Sequence, residues 1–226
     1  EAERLGINLS IHAQYWINLN STEKKKIEES KERILKCLEI GSYLKAKTVV
    51  FHAGFYGKIK RTPGSSYDIS SEIGVMPDYK EQSYQNIKQA ILEIKKESEK
   101  RNYTPELAAE TTGKNSVFGS VEDIARLVEE TKIGFCIDFA HILAREKNYN
   151  FEKVERLFGK YKKWHIHFSG INFGEKGEKN HKDTSKEEWK KLVTSLPKDK
   201  EITIINESPN PIKDSLEGLE ISNNKL

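Results

Sequence analysis

The chain has 226 residues, 36% hydrophobic and 32% charged, with a formal net charge of +3, which suits one large domain, or else two small ones, with a buried core and a heavily charged surface. No run of 18 apolar residues occurs, which excludes an ordinary membrane-spanning helix, and no secretory pattern opens the sequence: Glu1–Glu3 is acidic and reads as helical. So small a charge is no proof of a nucleic-acid partner.

In chain order, six short apolar runs read as buried strands: Ile7–Ala13, Thr48–Gly54, Pro105–Thr111, Ile133–His141, Trp164–Gly170 and Glu201–Glu207. Between them lie amphipathic helices. After Asn20, residues Ile27, Ile34, Leu35, Leu38 and Leu44 recur at helical spacing, and after Asp78 so do Tyr84, Ile87, Ile91 and Ile94. Asn20 with Glu23, Ser120 with Asp123 and Ser185 with Glu188 each place a capping side chain three residues before an acid. Cys37 and Cys136 sit inside apolar patterns and read as reduced thiols of a cytoplasmic protein. The long connection from Phe55 to Asp78 carries Lys58, Lys60, Arg61, Tyr56 and Tyr67 near Pro63 and Gly64. It is a candidate phosphate-gripping loop or simply a solvated one.

Strands alternating with helices predict an α/β fold with a parallel sheet, closed as a barrel or open and doubly wound. Either form puts the chemistry beyond the C-terminal strand ends. Those ends carry His12, His52, Glu110, Asp138 followed by His141, His167, and Glu207. Five of the six histidines, His12, His52, His141, His167 and His181, fall at strand ends or just after them. His165, two residues before His167, reads as a structural residue. Imidazole and carboxylate together suit zinc, manganese or iron, and six or more such groups exceed what one tetrahedral ion can use. Two or more ions are therefore expected. In such a centre one carboxylate commonly bridges ions that share a nucleophilic hydroxide.

The motifs His12-Ala-Gln-Tyr15-Trp16-Ile-Asn-Leu19, Phe51-His52-Ala-Gly54, Ala109-Glu110-Thr-Thr-Gly113, Cys136-Ile-Asp138-Phe-Ala-His141, Ile166-His167-Phe-Ser and Asn206-Glu207-Ser-Pro resemble, in order and spacing, the endonuclease IV family. That family contains abasic-site DNA repair enzymes within the xylose isomerase-like barrels. The resemblance runs from Leu9 to Pro211 and implies a TIM (β/α) barrel, here a single domain lacking the family's first two βα units. It implies cytoplasmic base-excision repair, with zinc-dependent hydrolysis of the phosphodiester 5′ to abasic sites in double-stranded DNA. His12, His52 and Glu110 would hold one zinc, and Glu110 would bridge to a second held by Asp138, His167 and Glu207. Glu110, Asp138 and Glu207 would be catalytic. His141 and His181 would hold a third ion, for which the family adds an aspartate two residues before the second histidine. Lys179 stands there in this sequence. Glu178 or Asp183 could supply the missing carboxylate, or Lys179 could itself meet the phosphate. Tyr15 and Trp16 match positions that push into DNA beside the lesion.

A sugar isomerase or epimerase of the same barrel group is the rival reading, since Glu110, Asp138, His167 and Glu207 would serve a single ion equally. An inactive remnant is a third. Two or three ions would indicate the nuclease, one the isomerase and none the remnant. An unpaired edge along Ile7–Ala13 predicts self-association.

Overall fold

The computed structural model describes residues 1–57 and 76–224, of which 76–78 by backbone alone. Lys58, Lys60, Arg61, Pro63, Gly64 and Tyr67 of the proposed phosphate-gripping loop lie outside the described residues. The fold is of the α/β, TIM-barrel-like class, with six parallel strands and, among the described residues, seven helices. The chain forms two compact units.

The first unit comprises 1–108, 116–118 and 130–133. It contains β1 (Ser10–His12), α1 (Lys24–Leu44), β2 (Thr48–Phe51), α2 (Met76–Lys100) and the start of β3 (Glu106–Glu110), with strands in that order. β1 and β2 pair in parallel, His12 opposite Val50. The helical spacing read from the sequence buries Ile34, Leu35 and Leu38 of α1 and Tyr84, Ile87, Ile91 and Ile94 of α2, while Leu44 is exposed. Phe118, fully buried, packs edge-on to Tyr56 at 5.6 Å and lies 6.2 Å from Tyr84. Asn20 caps nothing. Its amide nitrogen donates to the Phe55 and Tyr56 carbonyls, and α1 starts after Glu23 with no side-chain cap.

The second unit comprises 109–115, 119–129 and 134–226. After the end of β3 come α3 (Val121–Thr131), β4 (Gly134–Asp138), α4 (Phe139–Glu146), α5 (Phe151–Phe158) and β5 (Lys163–Phe168). Then follow β6 (Gly170–Gly174), β7 (Gly177–Lys182), α6 (Lys186–Ser195), β8 (Glu201–Asn206) and α7 (Pro211–Asn223). The strands run β3-β4-β5-β8. Every residue of β4 is buried, as its continuous apolar run requires. β4 and β5 align Cys136 with His165 and Asp138 with His167, and β5 and β8 align Phe168 with Asn206. The register therefore brings Asp138, His167 and Glu207 to one end of the sheet. Ser120 and Asp123 cap each other's backbone ahead of α3, and Ser185 with Glu188 forms a capping box on α6. No helix among the described residues is long and apolar enough to cross a membrane.

Candidate metal centre

Strand β4 stops at Asp138, earlier than the apolar run suggested, because the Asp138 side chain caps the next helix. Its Oδ1 accepts the His141 backbone N–H at 2.7 Å. His141 consequently sits in the first turn of α4, three residues along and on the same side as the cap. Two bonds with the Thr111 hydroxyl hold the Asp138 backbone in place. Asp138 Oδ2 stays buried with no hydrogen-bond partner among the described residues, 3.4 Å from His141 Nδ1.

In the second unit the donors form two groups. In the first, His167 Nδ1 lies 3.1 Å from Glu110 Oε1 and 3.0 Å from Glu207 Oε1, with Glu110 and His167 buried and Glu207 partly open. A proton on that nitrogen occupies the position where two carboxylates and an imidazole could share a cation. In the second, donor atoms of His141, Glu178 and His181 all lie within 4.8 Å of one another. His141 Nε2 is 3.6 Å from Glu178 Oε2, and the two imidazole rings are 5.4 Å apart.

Hydrogen bonds select the ring nitrogen that each histidine presents. His141 Nδ1–H donates to the Thr111 carbonyl at 2.9 Å, so Nε2 faces Glu178. Ser169 gives its only proton to the Gly170 carbonyl, so its oxygen accepts from His181 Nδ1–H at 2.6 Å and leaves His181 Nε2 as a lone pair. A ligating histidine whose second nitrogen is fixed by a backbone or hydroxyl oxygen is the usual arrangement around protein-bound ions.

Glu178 and His181 lie on a hairpin that the sequence reading did not include. β6 and β7 pair antiparallel around Glu175 and Lys176. Gly177 has φ +96°, and a Cβ there would come within 2.1 Å of the Gly113 carbonyl oxygen. Glu178 N–H donates to that same carbonyl at 3.0 Å, so glycine at 177 lets the hairpin lie against the segment after β3 and aims Glu178 at His141. Lys179, the position of the family's aspartate, is exposed, and it is Glu178 that faces His141.

The electrostatics follow from packing carboxylates and imidazoles together. Burial opposes a charged His141, yet Asp138, Glu110 and Glu178 overcome it and raise its pKa to about 9. His167 is likewise pushed up against burial, with the Glu110 carboxylate beside its Nδ1. Burial, with Glu110 and Glu207 adding to it, pushes Asp138 up. An excess of buried acids neutralised by protonated imidazoles is the pattern of a donor set fitted to divalent cations.

The first unit holds the remaining expected residues. His12 ends β1, His52 directly follows β2, and their rings meet edge-on at 5.1 Å. His12 Nδ1–H donates to the Ala13 carbonyl at 2.7 Å. Tyr15 packs edge-on to His52 at 6.3 Å and to Trp16 at 6.3 Å. Both aromatic side chains project into solvent, Trp16 with 76% of its surface exposed.

Residues 1–223 match the family described as xylose isomerase-like TIM barrel. An uncharacterized protein of Methanocaldococcus jannaschii, MJ0133, is 38% identical over 186 residues, covering 77% of this chain and 61% of the relative. The chain thus spans about three-fifths of the length of that curated relative. Among solved structures, SacUVDE is 20% identical with a TM-score of 0.68, over 99% of this chain and 68% of the other. A D-tagatose 3-epimerase-like protein is 18% identical with a TM-score of 0.67, over 99% and 81%. Endonuclease IV from Thermus thermophilus is 20% identical with a TM-score of 0.63, over 97% and 76%. At these identities the likeness is one of fold, and it extends equally to nucleases and to sugar epimerases.

Proposed function

The chain belongs to the xylose isomerase-like TIM-barrel family, and within it we propose that this protein is a divalent-metal-dependent endonuclease that cleaves DNA 5′ to abasic sites. One observation carries the choice over a sugar epimerase: His141, Glu178 and His181 form a donor group in addition to Glu110, His167 and Glu207. An epimerase working with one ion needs only the latter group and Asp138. The motif resemblance to endonuclease IV, including the His12-Ala-Gln-Tyr15-Trp16 loop, supplies the substrate class.

The proposed ligands are His12, His52, Glu110, Asp138, His141, His167, His181 and Glu207, with zinc as the preferred ion. Bound divalent ions supply Lewis acidity to the phosphodiester and to an attacking water, and positive charge toward the leaving oxygen. The protein's part is to keep the donors in place. Glu110, 1% exposed, presents its carboxylate to His167 Nδ1, and the motif resemblance assigns it the bridging role. Asp138 divides its work, Oδ1 holding α4 and Oδ2 left for a cation. Glu207, partly open to solvent, or Asp138 would orient the nucleophile while ligating. Trp16 and Tyr15 present exposed aromatic faces that wedge against unstacked bases beside a lesion. Lys179 contributes positive charge for a phosphate.

The test is the ion count in His181→Asn. The two-group reading predicts one fewer zinc per chain than wild type, together with lost cleavage of an abasic duplex. An unchanged zinc count, with turnover of a ketohexose by the wild type, establishes the epimerase reading instead.

A further inference from the structure

One tier below Asp138 and His167, away from the strand ends, the same two strands bring a different set of donors together. Cys136 precedes Asp138 by two residues on β4, and His165 precedes His167 by two on β5, so each pair shares a side of its strand. The register sets Cys136 directly beside His165. One donor atom each from Cys136, His165 and His167 lies within 4.8 Å of the other two.

Cys136 is wholly buried. His165 Nε2 is also buried, with no hydrogen-bond partner among the described residues. A buried ring nitrogen calls for a partner in protein, water or an ion. Simple packing does not explain it, because an apolar side chain would fill the same space without that cost. A thiolate with two imidazoles is a softer donor set than the carboxylates above it, and it selects zinc-class, thiophilic ions. Ligand atoms around a tetrahedral ion of this kind stand about 3.3–3.7 Å apart. With separations of no more than 4.8 Å, a contraction of at most about 1.5 Å would therefore close the cluster.

We propose that Cys136, His165 and His167 form an inner site for one thiophilic divalent ion. Binding displaces two protons, the Cys136 thiol proton and the one on the second ring nitrogen of His167: Cys136–SH, His167–H⁺ and M²⁺ give the thiolate–M²⁺–imidazole unit and 2 H⁺, with no change of oxidation state. His167 already has Nδ1 beside Glu110 and Glu207, which leaves the ring's second nitrogen for the inner ion. The inner ion then stiffens the imidazole that the outer group uses. This inner site stands independently of the nuclease reading.

Cobalt(II) reports the site directly, because thiolate ligation produces a near-ultraviolet charge-transfer band that carboxylate and imidazole ligands do not. Metal-free, reduced protein is titrated anaerobically with cobalt(II) in wild type, Cys37→Ser, Cys136→Ser, His165→Gln and Glu110→Gln. The expected result is a band saturating at one equivalent per chain in wild type and Cys37→Ser, absent in Cys136→Ser. In His165→Gln it should require at least tenfold more cobalt. In Glu110→Gln it should persist while the total ion count falls, which separates this site from the outer centre. Saturating cobalt without a thiolate band in wild type overturns the proposal, as does a band that disappears in Cys37→Ser. The Cys37→Ser comparison decides even if Cys136→Ser does not fold, since the chain has only two cysteines and Cys37 is only partly buried.

Discussion

Substituting Asp138 separates its structural task from its chemical one. Asp138 is completely buried, Oδ1 caps α4 through His141 N–H at 2.7 Å, and Oδ2 has no hydrogen-bond partner among the described residues. Asparagine caps helices about as well as aspartate, whereas replacing a cap by alanine costs about 1 kcal/mol, within a range of roughly 0.5–2. In the metal-free protein, Asp138→Asn also removes a buried carboxylate whose charged form is disfavoured by burial and by Glu110 and Glu207. Metal-free Asp138→Asn should therefore match wild-type stability within about 1 kcal/mol, and Asp138→Ala should be about 1–2 kcal/mol less stable. Zinc binding should divide differently. Loss of an outer-shell partner costs about 10–100-fold in affinity, so loss of a direct anionic ligand should cost at least about 100-fold in both variants. Urea denaturation of the metal-free proteins and equilibrium zinc binding measure the two quantities. If Asp138→Asn is destabilised as much as Asp138→Ala, the capping argument fails; if it binds zinc as wild type does, the carboxylate is a cap and nothing more.

Trp16→Ala should leave stability within about 0.5 kcal/mol, because the ring is exposed, and should weaken abasic-duplex binding by about 1–3 kcal/mol, the usual worth of an aromatic–base stack; fluorescence anisotropy measures the loss. Two shifted histidines should mark opposite limbs of the metal-free protein's stability against pH. His141, raised to about 9, contributes fully below 6.5 and loses that contribution as pH rises through 9; His165, lowered to about 4 by burial and by His167, contributes fully above 6.5 and loses it as pH falls through 4. Denaturation midpoints across pH, with His165→Gln flattening the acid limb, test both signs. β1 ends the strand order and α7 exposes Ile212, Leu216 and Leu219, so sedimentation velocity should show concentration-dependent self-association; a monomer at all concentrations contradicts this.

The six parallel strands were legible because each is a short apolar run, and their ends were legible because histidine and carboxylate gathered there. What the pattern could not mark was where a strand yields to a side-chain interaction. Ile133–His141 is apolar apart from Asp138 and His141, and only the Asp138 cap assigns its last three residues to α4. Asn20 has the spacing of a cap, yet the Phe55 and Tyr56 carbonyls take its amide. The β6–β7 hairpin escaped because its strands are polar and half exposed. Gly174-Glu175-Lys176-Gly177 was the available signal, a two-residue connection between glycines. With the hairpin went the clear choice of Glu178, which appeared in the sequence only as one of two substitutes for the aspartate displaced by Lys179. His165 read as merely structural, since its pairing with Cys136 is a matter of register and periodicity alone does not reveal register.

The most direct test of the nuclease account is strand cleavage of a synthetic duplex with a single abasic site, by wild type and Glu110→Gln, with zinc and with chelator. The account predicts a metal-dependent nick 5′ to the lesion, leaving a 3′-hydroxyl, abolished by chelation and by Glu110→Gln while circular dichroism shows the fold retained. Undiminished cleavage by Glu110→Gln, or no nick by folded, zinc-loaded wild type, would contradict it.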